Sequence, residues 1–394
     1  VAAALDSSRT ARRCNSLIVG GGLTGCAAAY YLAQAGVDVL LVDRYDLNTE
    51  ASGRNAGGFH VQIQFEPFET EGEDWARAWA PTIPLLIEAV EVWQGLSAEL
   101  GVDLEVKLTG GLLAAETDGQ MRALEQKAAI ERSAGLEVEL LSRDDLRRVA
   151  PYISHSMAGG LLCPLEGKAN PLLATPAFGR AAQAHGARLE LGVEVLAIER
   201  TASGFHVETS AGPVECERVI DCAGTAAGRI SELVGVPLPV ESHPLQAHVT
   251  EPVAPLVQHL VYFAGELLTI KQAAVGSVLI GGGWPADVDE QTGRLAVSEA
   301  SLRSNLRVAQ HVIPALAQAR LLRIWTGACN GTPDHRPILG ELDDVPGFFV
   351  AVFPFLGFTA APLMGKLVAD LALGRPSSHD LGPFVAARFA AATV

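Results

Sequence analysis

Gly20, Gly22 and Gly25 stand as G-x-G-x-x-G, and Asp43 follows 23 residues after Gly20. These types at this spacing can hold a pyrophosphate and a ribose. Gly20 can turn tightly out of a strand, Gly22 lets a pyrophosphate approach bare backbone, and Gly25 lets a helix lie close to a sheet. The first N–H groups of a helix, at Leu23 and Thr24, have no partner within it and can bind phosphate oxygens, helped by the helix dipole. An acid at Asp43 suits a ribose hydroxyl and argues against a 2′-phosphate.

The elements around these residues carry the reading, because the glycine spacing alone is weak evidence. The apolar run Leu17–Val19 stops at the glycines. The Ala-rich stretch 26–35 reads as a helix ending at Gly36, and 37–42 reads as a buried parallel strand. A strand–turn–helix that binds nothing is the plain alternative. A second small-residue stretch, Ser52, Gly53, Arg54, Asn55, Ala56, Gly57 and Gly58, follows the second strand of this unit and so lies near the same ligand. Arg54 can offset phosphate charge and Asn55 can hydrogen-bond; a surface turn is the alternative. Residues 59–65 alternate like a strand, with His60, Gln62 and Gln64 on one face toward either a cleft or water.

Further on, residues 81–101 and 119–134 have helical texture, and pieces such as 111–115 read as strands. Together they read as an inserted module. Asn170 and Pro171 look like a helix cap and first turn. The apolar strand 218–222 stops at Ala223-Gly224 and can bring another backbone loop to the ligand. Cys216 and Cys222, at even spacing on that strand, are expected on one face. Strands are expected at 246–250, 267–271 and 277–284 and a helix at 299–313. Lys271 and Gln272 fall where a sheet can face a pocket, although a solvated lysine at a strand end is the ordinary case. Residues 325–340 read as a turn-rich loop in which His335 and Arg336 are structural. Residues 348–352 read as a buried strand. From Gly357 a helix is expected, with Lys366 and Asp370 paired at i, i+4.

Composition narrows the classes. The 394 residues, 49% hydrophobic and 19% charged, can bury large cores in two domains. A net charge of −16 argues against nucleic acid and against an anionic membrane surface. Six cysteines in so long a chain make no disulfide framework, no Cys or His cluster has zinc spacing, and no metal is expected. Reduced cysteines fit the cytoplasm. The first 14 residues, polar with Arg9, Arg12 and Arg13, read as a loose tail without a secretory signal. The uncharged stretch 345–365 is long enough to span a bilayer, but Pro346, Pro354, Pro362 and three glycines split it into strand, turn and helix.

Taken together, these parts resemble the FAD-dependent D-amino-acid oxidase superfamily over nearly the whole chain. The resemblance rests on 20–25, Asp43, 51–58, Ala223-Gly224, Thr332-Pro333-Asp334 with 337–340, and the Gly357-Phe358-Thr359 helix start. Within the superfamily, 52–62, 268–272 and 280–285 look most like the β subunits of opine oxidases and hydroxyproline dehydrogenases, with glycine and sarcosine oxidases more distant. The resemblance implies an α/β fold. A Rossmann-type FAD-binding domain would be assembled from discontinuous segments (1–80, 146–235 and 325–394). An α+β substrate domain with a large mixed sheet would comprise 81–145 and 236–324. It adds Arg44, Val195, Gly331, Gly357, Phe358 and Thr359 to the cofactor contacts.

Three departures matter. Cys329 stands where glycine oxidase-like enzymes hold a carboxylate-binding arginine. Gly327 stands where monomeric sarcosine oxidases attach FAD through cysteine, so FAD is expected to be noncovalent. Leu279 aligns with the lysine that those oxidases hold near flavin N5 for reaction with oxygen. The implied activity is oxidation of an amine C–N bond by hydride transfer to the flavin, on an amino acid or opine-like substrate. Electrons would pass to an acceptor or a partner, such as other subunits of a dehydrogenase complex. A peroxide-forming oxidase, a non-catalytic flavoprotein subunit and an NAD enzyme are the alternatives. His60, Lys271 and Gln272 are the candidates for the reacting end.

Overall fold

The computed structural model describes residues 11–392. The chain builds two eight-stranded sheets. In the first, the order is Ile338–Leu342, Val345–Val352, Val214–Asp221, Arg12–Val19, Val39–Asp43 and Arg188–Leu191. From Val345–Val352 to Arg188–Leu191 the strands run parallel. Gly204–Thr209 and Val195–Thr201 add an antiparallel flap. Parallel neighbours need a crossover, and the helix Leu23–Gln34 supplies the one between Arg12–Val19 and Val39–Asp43. Residues 39–42 are buried throughout, as a strand covered on both faces must be.

The second sheet is mixed. Its order is Leu321–Gly331, Glu241–Pro252, Ser277–Gly281, Thr269–Gln272, Leu260–Phe263, Gly111–Ala115, Gly159–Cys163 and Glu139–Ser142. Only Leu260–Phe263 and Gly111–Ala115 pair in parallel among these strands. One core lies between the first sheet and the helices Leu23–Gln34, Pro171–Ala184 and Gly357–Ala372, and it continues under Thr82–Glu99. A second lies on the other face of that sheet, and a third packs Glu299–Val312 on the mixed sheet.

Several expectations change. Gly159–Cys163 and residues 325–331, expected with the nucleotide unit, are hydrogen-bonded into the mixed sheet. Much of the expected loop 325–340 is the end of the strand Leu321–Gly331, which pairs along the length of Glu241–Pro252. Only Gly58–Phe59 is strand in 59–65; the backbone then turns, and a helix Phe65–Trp79 starts. Cys216 and Cys222 sit in different cores. Glu217 and Arg218 both turn outward, which breaks the alternation that even spacing assumes. Arg12 and Arg13 begin the first strand; the rest of the expected tail, 1–10, lies outside the described residues. The uncharged stretch does divide into Val345–Val352 and Gly357–Ala372. Among the described residues no helix is long and apolar enough to cross a membrane.

Candidate active site

One elongated cleft runs along the C-terminal ends of the parallel strands and reaches the edge of the mixed sheet. Its first end is built by the glycine turn. Gly20 has φ +113, and a side chain there would strike the carbonyl of Cys222. Gly22 caps the helix Leu23–Gln34 without a side chain, so the helix N-terminus opens on the cleft. Ser52 Oγ accepts from Leu23 N–H at 2.9 Å and ties the second small-residue stretch to this turn. Asp43 accepts from Gly21 N–H at 2.6 Å and from Tyr45 N–H at 2.7 Å. A carboxylate has about four acceptor positions, so Asp43, which lines the cleft, keeps capacity for a further donor.

Gly20, Gly22, Leu23, Thr24, Asp43, Arg44, Ser52, Asn55, Ala56, Gly57, Gly58, Val195, Ala223, Gly224, Gly357, Phe358 and Thr359 all line this cleft, and so does His60. The other expected residues do not. Gly25 faces the Gly20 carbonyl and lets the helix lie on the sheet. Gly53 sits on the Asn48 carbonyl, and Gly331 against His243. Arg54 turns away from the cleft: it donates to the carbonyls of Thr49 (2.7 Å) and Thr326 (3.2 Å). Gln272 braces a loop, accepting from Leu256 and Val257 N–H and donating to the carbonyls of Val253, Ala254 and Gly276. Lys271 is neither solvated nor on the cleft wall. It is 4% exposed, its Nζ has no partner, and it lies behind Gly57. Burial, with Lys168 nearby, drives its pKa well below that of an ordinary lysine.

At the far end Gly357–Ala372 presents its N-terminus, and Ala328, Cys329, Asn330, Phe355 and Leu356 close the wall. Sequence reasoning misses most of these, because 325–331 reads as loop. Phe355 adopts φ 56, and its neighbour His335 φ 57, which a sequence without glycine at those positions does not announce. Cys329 is held as a neutral thiol, its pKa pushed up to about 11 by burial. The Thr332-Pro333-Asp334 turn is a latch rather than a cleft wall: Thr332 Oγ1 donates to the Arg336 carbonyl at 2.9 Å, and Asp334 pairs with Arg336 and Arg388. His60 lies at this end. Its N–H donates to Thr359 Oγ1 at 2.9 Å, which joins it to the helix start. Its ring is neutral, with a pKa pushed down to about 3 by burial and by Lys271.

A cleft with bare backbone at one end and a neutral polar wall at the other suits an extended dinucleotide whose reactive ring lies far from its phosphates. The model for FAD dependent oxidoreductases matches residues 16–371. The chain belongs to this family. The beta chain of sarcosine oxidase from Rhizobium meliloti is 28% identical over 376 residues, 91% of this chain and 85% of that one. An opine oxidase component from the same species is 28% identical, covering 94% of this chain and 96% of that one. The crystal structure of glycine oxidase from Geobacillus kaustophilus superposes with a TM-score of 0.86 at 27% identity over 96% of this chain and 99% of that one. The protein is therefore an FAD-dependent oxidoreductase of the D-amino-acid oxidase superfamily.

The residues present fit FAD. Ser52 takes the Leu23 N–H, which was expected to meet phosphate, so the N–H groups of Gly22 and Thr24 on the cleft wall are the ones that would meet the diphosphate. Asp43 and Arg44 line the cleft next to this end and would face the ribose. The helix start at Gly357–Thr359 has no side-chain cap and lines the far end of the cleft, where its positive end would face the flavin. Among the described residues no group of His, Cys, Asp and Glu could hold a metal ion.

Proposed function

We propose that the protein oxidises the C–N bond of a secondary or primary amine, an amino acid or opine-like compound, and passes the electrons to a partner. The observation that carries this is the reacting end: a neutral His60 beside the uncapped start of Gly357–Ala372, facing a cleft that fits FAD. Bound FAD supplies the two-electron acceptor for the substrate's α-hydrogen, and the imine formed hydrolyses in water. The chain's own residues orient and tune. The helix N-terminus stabilises negative charge that develops at its end of the cleft. Cys329, a neutral thiol, gives a substrate carboxylate no cationic anchor, in keeping with selection for the amine. The names of the relatives, for sarcosine, glycine and opines, support this substrate class.

We further propose that FAD is held noncovalently, since Gly327 offers no side chain for attachment, and that the chain works with other subunits, as the names of two relatives suggest. Six free cysteines, five of them buried, support a reducing, cytoplasmic setting. The two-part division (1–80, 146–235 and 325–394 for FAD; 81–145 and 236–324 for substrate) is retained as a proposal, with the strand exchange already described.

The test is a panel of amines mixed anaerobically with the yellow holoenzyme, with and without an artificial electron acceptor. Bleaching by an N-substituted or cyclic amino acid is expected, with turnover only when acceptor is present. Stoichiometric peroxide in air would replace the dehydrogenase by an oxidase. A flavin that no amine bleaches would end the catalytic reading.

A further inference from the structure

A line of polar groups leads from the cleft wall into the interior, and the amine chemistry above does not use it. His60 Nδ1 lies 2.8 Å from Tyr262 Oη. Tyr262 Oη lies 2.9 Å from Glu166 Oε2. Glu166 is fully buried. Its Oε1 accepts the backbone N–H groups of Val61 (2.6 Å) and Gln62 (2.9 Å), and its Oε2 also accepts from Gln62 Nε2 at 3.0 Å. Gln62 cannot turn over to relieve this: its Oε1 accepts from the buried ammonium of Lys127 at 3.2 Å. Lys127 in turn is paired with Glu131 at 2.6 Å.

The donor count fixes the protons. Three of the four groups on Glu166 can only donate to it, so the Tyr262 side is the one place a proton can sit on that carboxyl. With Glu166 ionised, Tyr262 donates to it and accepts from His60, so His60 carries its proton on Nδ1 and leaves Nε2 as a lone pair. With Glu166 protonated, both bonds reverse and His60 carries its proton on Nε2. The chain of three thus has two complete hydrogen-bonded states that differ by one proton.

We infer that Glu166 is the buried acceptor for the proton that a substrate ammonium must lose, delivered through His60 and Tyr262. This rests on the amine reading above. An amine of ordinary basicity arrives protonated at neutral pH and has no lone pair to support loss of its α-hydrogen as hydride. In the proposed step an N–H bond of the ammonium breaks and the proton goes to His60 Nε2. The Nδ1 proton of His60 moves to Tyr262, and the hydroxyl proton of Tyr262 moves to Glu166 Oε2. No electrons change hands. The ammonium and the carboxylate are both neutralised, and His60 ends neutral in its other tautomer.

The surroundings favour transit over storage on the imidazole. Burial first, and Lys271 second, disfavour a cationic His60. Burial raises the Glu166 carboxyl, against the pull of its hydrogen bonds, toward a range where it can take a proton. Burial, and Glu166 hydrogen-bonded beside it, oppose a tyrosinate at Tyr262, so the hydroxyl relays a proton without losing its own.

The test uses the FAD-loaded protein with ring-15N histidine, with His60 assigned by the signal lost in His60→Asn. Expected is the Nδ1–H tautomer in the wild type. In Glu166→Gln the Val61 and Gln62 N–H groups hold the amide oxygen at the Oε1 position, so the amide nitrogen takes the Oε2 position, costs Gln62 Nε2 its acceptor and donates to Tyr262, which must then donate to His60; the Nε2–H tautomer is expected. An unchanged tautomer in a folded Glu166→Gln protein overturns the inference. The second reading is the pH profile of anaerobic bleaching by an amine from the panel. In Glu166→Gln, and in Tyr262→Phe, which leaves the other donors on Glu166 in place, the rate at pH 7 should fall about 10²-fold. It should recover as pH rises to the free amine's own pKa. A tautomer flip with an unchanged profile also overturns the acceptor role, while leaving amine oxidation intact. Failure of every amine in the wild type fails the amine reading instead, and the tautomer measurement remains separate from it.

Discussion

Asp221 shows how much a single group beside the cofactor cleft can set. It ends the strand Val214–Asp221, opposite Val19 and next to the glycine turn. It is fully buried; one oxygen accepts from Ala223 N–H at 3.0 Å and the other has no partner. Burial pushes its pKa up to about 8. Such an acid is protonated in the fold over a range where the unfolded chain has already released the proton. The folded state then binds more protons, so this group's contribution to stability falls as pH rises from about 4 and levels off above about 8. Asp221→Asn keeps the acceptor for Ala223 and removes the titration. Melting temperatures recorded between those two pH values should fall less steeply in the variant; parallel curves would count against a protonated Asp221. The sequence does not display this acid as unusual, because nothing in an apolar strand ending in Asp says whether the carboxylate meets water. The same limit hides Lys271 and Gln272. Both are legible as polar residues at a strand, but their burial depends on which elements cover that strand. Arg54 is legible as a cation near a phosphate loop, and the direction in which its long side chain turns is not.

Elements are more readable where one local rule decides them. The glycine turn, the helix after it and Asp43 follow from backbone sterics within about thirty residues, and they form as expected. The cap at Asn170 forms too: its side chain accepts from Leu172 N–H at 3.0 Å. The strand Leu321–Gly331 and the irregular run after Phe59 escape local rules because pairing over long separations decides them. Leu321–Gly331 pairs with Glu241–Pro252, and the 61–63 backbone N–H groups go to Glu166 and Glu131. Helix crossings are likewise set by small residues far apart in the chain. Gly365 sits where Gly357–Ala372 crosses Leu23–Gln34, and a side chain there would come within 2.7 Å of Ala28 N and 2.8 Å of the Thr24 carbonyl. These are backbone atoms, so no rotamer change can make room. Gly365→Val should therefore force the helices apart at a cost of about 1–3 kcal/mol. Both helices present their N-termini to the cleft, so FAD affinity should fall with stability, by about tenfold or more. Fluorescence titration of the apoprotein with FAD, beside a thermal melt, measures both. Lost stability with unchanged affinity would show that this crossing does not set the cleft.

At the scale of the whole molecule, the cleft is the place where the two sheets share a boundary. Gly20, Asp43 and Ala223 come from the ends of the parallel sheet, whereas Ala328, Cys329 and Asn330 come from the edge strand of the mixed one. A ligand that fills such a cleft stabilises both sides by mass action, by about 2.7 kcal/mol when free ligand is at 100 times its dissociation constant. The melting temperature should accordingly rise with the logarithm of added FAD. Because FAD is proposed to be noncovalent, denaturation should release all of the flavin. Removing it should also redistribute local stability in a defined pattern. Amide exchange should quicken at 20–26 and at 327–331 together, since each segment supplies cleft-lining residues, 20–24 and 328–330. Exchange in the helix Glu299–Val312 should stay slow, because it packs on the opposite face of the mixed sheet in a core that supplies no residue to the cleft. Faster exchange confined to 20–26 would mean that the mixed sheet only borders the cleft. The mixed sheet could then be replaced without affecting FAD, and relatives would vary in substrate by changing it. Coupled loss at both segments would mean that substrate recognition and cofactor retention are set by the same edge strand, so substitutions at Cys329 or Asn330 aimed at substrate should also shift FAD affinity.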